Sequence, residues 1–406
     1  MEMKKHHMLR KQVFSVLIIS FIVLSFCSGC VRHEDDVPLK YQRIYNQLEQ
    51  KLTDLHAELN NRWDHEPHEL VFTTELLVTS ANRGEIILEP EIFDAVIFNL
   101  DAMQSLGVTG VSLDIKYPVL VDGFPRQDEY ILFYQKVVDE IKSRNLTLFM
   151  AAQVAFTDPF FGNPDIVDYY ENLTLTRYKS EKRQMVETII NTFQPDYVTI
   201  ENEPETQQMN TGLNFSVDTV IEIAQFVLNG LDKKDVKIGA GAGSWENIVY
   251  IQRLAEETAI DYLDIHIYPI QGDLIFERMQ QIKSIALSNN KSVVIGETWL
   301  YKCKHNELSQ LNYIDVYQRD VFSFWMPLDC SFLNLMVNLS FYLDCEMINP
   351  FWMQYFWGYV PYNIITESMN PTQRYDAVRK TAAHNMYTGN YTLVGQTYKN
   401  LIDRYS

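Results

Sequence analysis

The sequence predicts an α/β chain folded as a (β/α)8 TIM barrel, and three observations carry that prediction. Eight short apolar runs, at 70–79, 110–115, 146–154, 196–202, 236–242, 262–268, 292–297 and 349–357, are separated by segments with helical spacing. Strands that alternate with helices pair in parallel through right-handed crossovers. The chain has 406 residues, of which 47% are apolar, enough for a barrel of about 250 residues plus insertions. Polar residues also end several different runs, as a barrel requires. A doubly wound sheet, the alternative arrangement, gathers its site at one crevice instead.

In chain order, residues 1–29 read as a signal segment. Lys4, Lys5, Arg10 and Lys11 precede an apolar run from Val13 to Cys27, fifteen residues long and short for a membrane span. Small residues before Cys30 resemble a lipoprotein cleavage box, which makes Cys30 the expected lipidation site of an exported, membrane-anchored protein. Residues 30–66 read as a tether and an N-terminal helix. Tyr41, Ile44, Tyr45, Leu48, Leu52, Leu55 and Leu59 recur at helical spacing there, and such a helix needs a surface, expected to be the bottom of the barrel. Residues 67–406 are the barrel itself. Helical patterns fall at 135–142, 217–231 and 275–287, and the interval 298–348 is the main insertion candidate.

The chemistry sits at the ends of the runs. Tyr197-Val198-Thr199-Ile200 is followed by Glu201-Asn202-Glu203-Pro204-Glu205. Proline cannot continue a strand ladder, so the acidic side chains stand at the mouth of the strand. The pattern recurs at Ser292 to Trp299, where Glu297 ends an apolar run. Two carboxylates presented by two strands of one sheet are the apparatus for cleaving a glycosidic bond. In Asp264-Ile265-His266-Ile267-Tyr268, alternation sets Asp264, His266 and Tyr268 on one face, toward the barrel mouth.

These motifs resemble clan A glycoside hydrolases, retaining (β/α)8 glycosidases. Asn202-Glu203-Pro204 matches the acid/base motif ending strand four, and Glu297 the nucleophile ending strand seven. His266-Ile267-Tyr268 matches the His-x-Tyr of strand six, and Trp357 the tryptophan closing strand eight. The resemblance implies that Glu203 is the acid/base and Glu297 the nucleophile. It also implies that Asn202 binds the sugar 2-hydroxyl and that Tyr268 orients Glu297. His266, Trp299 and Trp357 join the substrate-binding set, the tryptophans as sugar platforms. Many members end strand two with an arginine that supports the nucleophile; here Lys116 stands nearest that place, without a guanidinium's fork. Regular alternation also puts Asn202 and Glu203 on opposite faces, so both serve only if that strand end is irregular.

A formal net charge of −19 excludes nucleic acid as a partner and suits a neutral glycan. No cofactor or metal is expected. His65-Glu66-Pro67-His68 has the wrong spacing for a zinc helix, and the glycine run at 239–243 lacks the lysine of a phosphate loop. Cys303, Cys330 and Cys345 leave room for one disulfide in an exported chain. The expectation is a monomeric, exported retaining β-glycosidase; a glycan-binding lipoprotein that has lost turnover is the alternative.

Overall fold

The computed structural model describes residues 37–158, 164–268, 270, 275–304, 307 and 318–405. The expected signal segment, the tether up to residue 36 and Cys30 lie outside them.

Eight parallel strands form the barrel: β1 (Val71–Phe72), β2 (Gly110–Asp114), β3 (Thr147–Ala151), β4 (Tyr197–Glu201), β5 (Lys237–Gly243), β6 (Tyr262–Ile267), β7 (Ser292–Thr298) and β8 (Cys345–Pro350). Their order is β1-β8-β7-β6-β5-β4-β3-β2. The ring closes between β1 and β2, where Ser112 N donates to Thr74 O at 3.1 Å and Leu76 N to Ser112 O at 3.0 Å. Inward-facing Phe149, Ala151, Tyr197, Tyr262, Val294 and Met347 fill the interior, each set by the two-residue period of its strand. The glycine run is β5 itself. A Cβ at Gly239 would stand 2.1 Å from the ring of Tyr262, so the small strand makes room for a large neighbour.

Three expectations need correction. The last strand is 345–350, not 349–357. Pro350 ends it, and 353–356 form a 3-10 turn, because a proline closes a strand rather than opening one. The first strand is also shorter than its apolar run, which turns into a 3-10 helix at Leu77–Thr79. The helix Leu39–Arg62 does not cap the base. It lies along the flank, beside helix Met326–Tyr342. Tyr45 stacks on Trp325 at one end, His56 bonds Ser331 O at 3.0 Å, and Trp63 stacks on Phe341 at the other. Its buried Ile44, Leu48, Leu52, Leu55 and Leu59 form the apolar stripe of a surface helix.

Cys303, Cys330 and Cys345 are free thiols, and burial pushes Cys303 up to about 12. Among the described residues, no helix is long and apolar enough to cross a membrane.

Candidate active site

Two strand irregularities build the site. On β4, Thr199 pairs with Gly239 and Glu201 with Ala240, so Ile200 is an extra residue in the ladder. Thr199 lies 2.9 Å from the hydroxyl of the interior Tyr262. Unbroken alternation from it would turn Glu201 inward and Asn202 outward. The extra residue reverses both. Glu201 points outward, accepts from Tyr178 at 2.9 Å and pairs with Lys182 at 3.4 Å. Asn202 turns inward, its amide 3.3 Å from His266 Nε2. Glu203 then takes a left-handed conformation (φ 41°, ψ 63°) as the cap of helix Pro204–Thr211. Gln207 holds the turn by donating to Asn202 O. On β7, Ile295 pairs with Ile265 and Glu297 with His266, which skips Gly296. A residue that alternation from the interior Val294 would send outward thereby faces the mouth.

The two glutamates meet around His266. His266 Nδ1 donates to Glu203 Oε1 at 2.7 Å and lies 3.6 Å from Glu297 Oε2. Asp264 stands behind the ring, Oδ2 being 3.7 Å from Nε2. Oxygens of Glu203 and Glu297 and a ring nitrogen of His266 all lie within 4.8 Å of one another. Burial opposes a charged ring, but the charges of Glu297 and Asp264 and the bond to Glu203 outweigh it, so His266 is held well above the usual range. Burial also raises Glu203, yet the bond and charge of His266 win and leave it below the usual carboxylate range. Glu297 is pushed up to about 7 by burial and by the charge of Glu203, against the pull of His266. Of the two carboxyls, Glu297 is therefore the one held toward its protonated form. Three donors of this kind have the composition of a metal site. Here the His266 nitrogen that faces both carboxylates already bonds Glu203 at 2.7 Å.

Glu297 is fixed from two sides. Tyr268 donates to its Oε2 at 2.6 Å, and Gln153 Nε2 to its Oε1 at 2.6 Å. Gln153 Oε1 in turn accepts from Lys116 Nζ at 2.7 Å. Lys116 is 1% exposed, pairs with Asp114 and lies over the ring of Phe156. It thus reaches Glu297 through Gln153. Behind it, Glu75 accepts from Ser112 Oγ at 2.6 Å and Asp114 N at 3.1 Å. Burial and the charge of Asp114 hold Glu75 well above the usual range.

The structure brings Asn202, Glu203, His266, Tyr268 and Glu297 together. It does not bring Trp299 or Trp357 to an open face. Both are 1% exposed. Trp299 stacks on Tyr355, with centroids 5.6 Å apart, and Trp357 packs on Phe356 and Tyr391. The half-buried aromatics around Tyr268 are Trp245, Tyr301 and Phe351, at 6.1, 5.0 and 6.4 Å. Trp352 is edge-on to Phe351 at 4.8 Å. The sequence reading missed Gln153 and the Phe351-Trp352 pair, although both obey the rule that found Glu203. Gln153 is the first polar residue after the apolar strand β3, and Phe351-Trp352 follow a strand-ending proline.

Solved structures share this architecture. A GH5_18 protein from Bifidobacterium longum subsp. longum, in complex with Manβ1-4GlcNAc, aligns with a TM-score of 0.53 at 13% identity, over 83% of this chain and 78% of that one. The exo-β-1,4-mannosidase from Opitutaceae bacterium strain TAV5 aligns with a TM-score of 0.51 at 12% identity, over 84% of this chain. The alignment covers 60% of that mannosidase's length. The chain shares the (β/α)8 barrel fold of these two structures. No protein-family model matches the sequence, and no curated protein matches it.

Proposed function

We propose that the protein is a retaining β-glycoside hydrolase acting on a neutral oligo- or polysaccharide. The observation that carries this reading is the approach of Glu203 and Glu297, with oxygens within 4.8 Å of each other, from the ends of β4 and β7. Retaining enzymes keep their carboxyls ~5–5.5 Å apart, whereas inverting ones leave ~6.5–9.5 Å for a water. Glu297 attacks the anomeric carbon while Glu203 gives its proton to the departing oxygen. Glu203 then takes a proton from water, which displaces Glu297 from the sugar. Tyr268 and Gln153 aim the nucleophile, and Asn202 is placed for the 2-hydroxyl.

In the first step the pair's single proton must be on Glu203 and not on Glu297. Transfer of the His266 proton to Glu203, with any proton on Glu297 released to solvent, supplies that arrangement. The second reading, a glycan-binding protein without turnover, draws on a different observation: among the described residues Glu297 is held by Gln153 and Tyr268 and not by an arginine. A panel of 2-deoxy-2-fluoro glycosides with activated leaving groups separates the two readings. The intact protein should gain the mass of one fluorosugar, located on the Glu297 peptide. A protein that binds glycans yet takes no label from any member is the binding protein.

We also propose export and anchoring through a lipid on Cys30, on the strength of the basic and apolar leader. Cys30→Ala should move the protein from the membrane fraction to the soluble one; unchanged partitioning means the lipid is not the anchor.

A further inference from the structure

Glu246 has no part in the reaction described above, yet its carboxyl reaches the backbone on both sides of the bond between Glu203 and His266. It lies three residues past the end of β5 and is 1% exposed. Its Oε1 accepts from Glu205 N at 2.7 Å, and its Oε2 from Gly243 N at 2.6 Å. Glu205 is in the first turn of helix Pro204–Thr211, two residues after the left-handed Glu203. Gly243 ends β5 opposite His266 in the ladder, and the next residue, Ser244, donates its N–H to His266 O at 2.8 Å. One side chain therefore bridges the turn that carries Glu203 and the strand end that abuts His266.

Each contact has a local cause. Pro204 has no N–H, so Glu205 N is the first donor of its helix, and the first donors of a helix have no partner within it. A negative side chain is favoured at that end. The bridge is itself braced. Glu246 N donates to Gly243 O at 3.0 Å, which closes a turn, and Arg278 from helix Ile275–Ser288 donates to Glu246 O at 2.7 Å. Burial and the charge of Glu203 push the Glu246 carboxyl up to about 8, against the pull of both N–H bonds. Acids crowded together in this way are characteristic of working sites.

We propose that Glu246 is a positioning residue for the acid/base. Its two bonds fix the turn at Glu203 against the end of β5, and they thereby keep Glu203 Oε1 at 2.7 Å from His266 Nδ1. This role rests on the proposed assignment of Glu203. It does not extend to Glu297, which Gln153 and Tyr268 hold from the ends of β3 and β6.

The test compares the full chain with its Glu246→Gln variant, in which one acceptor becomes a donor and one backbone N–H loses its partner. Two rates are measured beside thermal unfolding. The first is hydrolysis of a glycoside with a poor leaving group, which needs the acid. The second is labelling of Glu297 by a 2-deoxy-2-fluoro glycoside with an activated leaving group, which does not. Hydrolysis should fall roughly ten- to hundredfold, the scale of a small misplacement of a reacting group, while the labelling rate stays at the wild-type value. If Glu246→Gln fails to fold, Glu246→Asp, which carries its acceptors on a shorter arm, takes its place with the same expectations. Hydrolysis and labelling that fall together, hydrolysis that does not fall, or failure of both variants to fold would overturn the role. A wild-type chain that neither hydrolyses nor takes the label sinks the glycosidase reading, and this role with it; an active wild type with an unaffected variant sinks this role alone.

Discussion

Glu203→Ala should lower hydrolysis of a glycoside with a poor leaving group by about 10²–10⁴-fold, the usual worth of general acid–base help. The same variant should still release an aryl leaving group that needs no proton. Its second step then lacks a base, the glycosyl-enzyme on Glu297 accumulates, and added azide restores turnover as a β-glycosyl azide. Glu297→Ala should respond differently, because that side chain forms the covalent bond. It should lose the normal route for every substrate, and azide should return at most an α-glycosyl azide from the vacated face. Proton NMR of the products distinguishes the anomers. Interchanged responses would swap the two roles. Hydrolysis unaffected by either substitution would place the chemistry elsewhere. The structure sharpens the contrast, since Glu203 accepts from the titratable His266 at 2.7 Å while Glu297 is clasped by Gln153 and Tyr268.

Trp357→Ala should cost about 3–5 kcal/mol of stability, the range for deleting a buried aromatic. The sequence reading made this residue a sugar platform. Its ring is enclosed by Phe356 and Tyr391, and its backbone oxygen accepts from Asn385 Nδ2 at 2.7 Å. The expected result is a fall in unfolding temperature, with substrate affinity unchanged in whatever fraction stays folded. Trp245→Ala should do the reverse. Trp245 is half-buried, edge-on to Tyr268 at 6.1 Å, and its loss should weaken glycan binding with little effect on unfolding. Calorimetric unfolding beside a glycan titration reads both variants. A Trp357 variant with wild-type stability and poor binding would return that residue to the mouth.

The architecture was legible because its signal is periodic and repeated: eight apolar runs, each ended by a polar group or a breaker. The ends of the runs were less legible. Pro350 falls inside the apolar run 349–357 yet closes its strand, which puts Phe351 and Trp352, and not Trp357, directly after the strand end. The paired glutamates were found by chemistry and resemblance, not by pleat. Strict alternation turns Glu201 in and Glu297 out, and only the extra residues Ile200 and Gly296 undo this. Such irregularities arise from pairing with neighbouring strands, and a single strand's composition does not encode them. Gln153 escaped for another reason. A lone glutamine carries no motif, and its importance comes from a tertiary contact with Glu297, 144 residues away.

The glycine beside the nucleophile ties two positions together in a way that conservation at one of them would not reveal. A methyl group at 296 would stand 1.9 Å from Asp264 Oδ1, and Asp264 is fully buried behind His266. Side-chain volume at 296 and carboxylate at 264 are therefore mutually exclusive. A descendant lineage can enlarge position 296 only after position 264 has shrunk, and by then the acid backing the histidine is gone. Neutral drift through this corner of the barrel has a fixed order of steps, and its first step already disarms the histidine. The requirement for glycine at 296 is inherited from a side chain on the neighbouring strand.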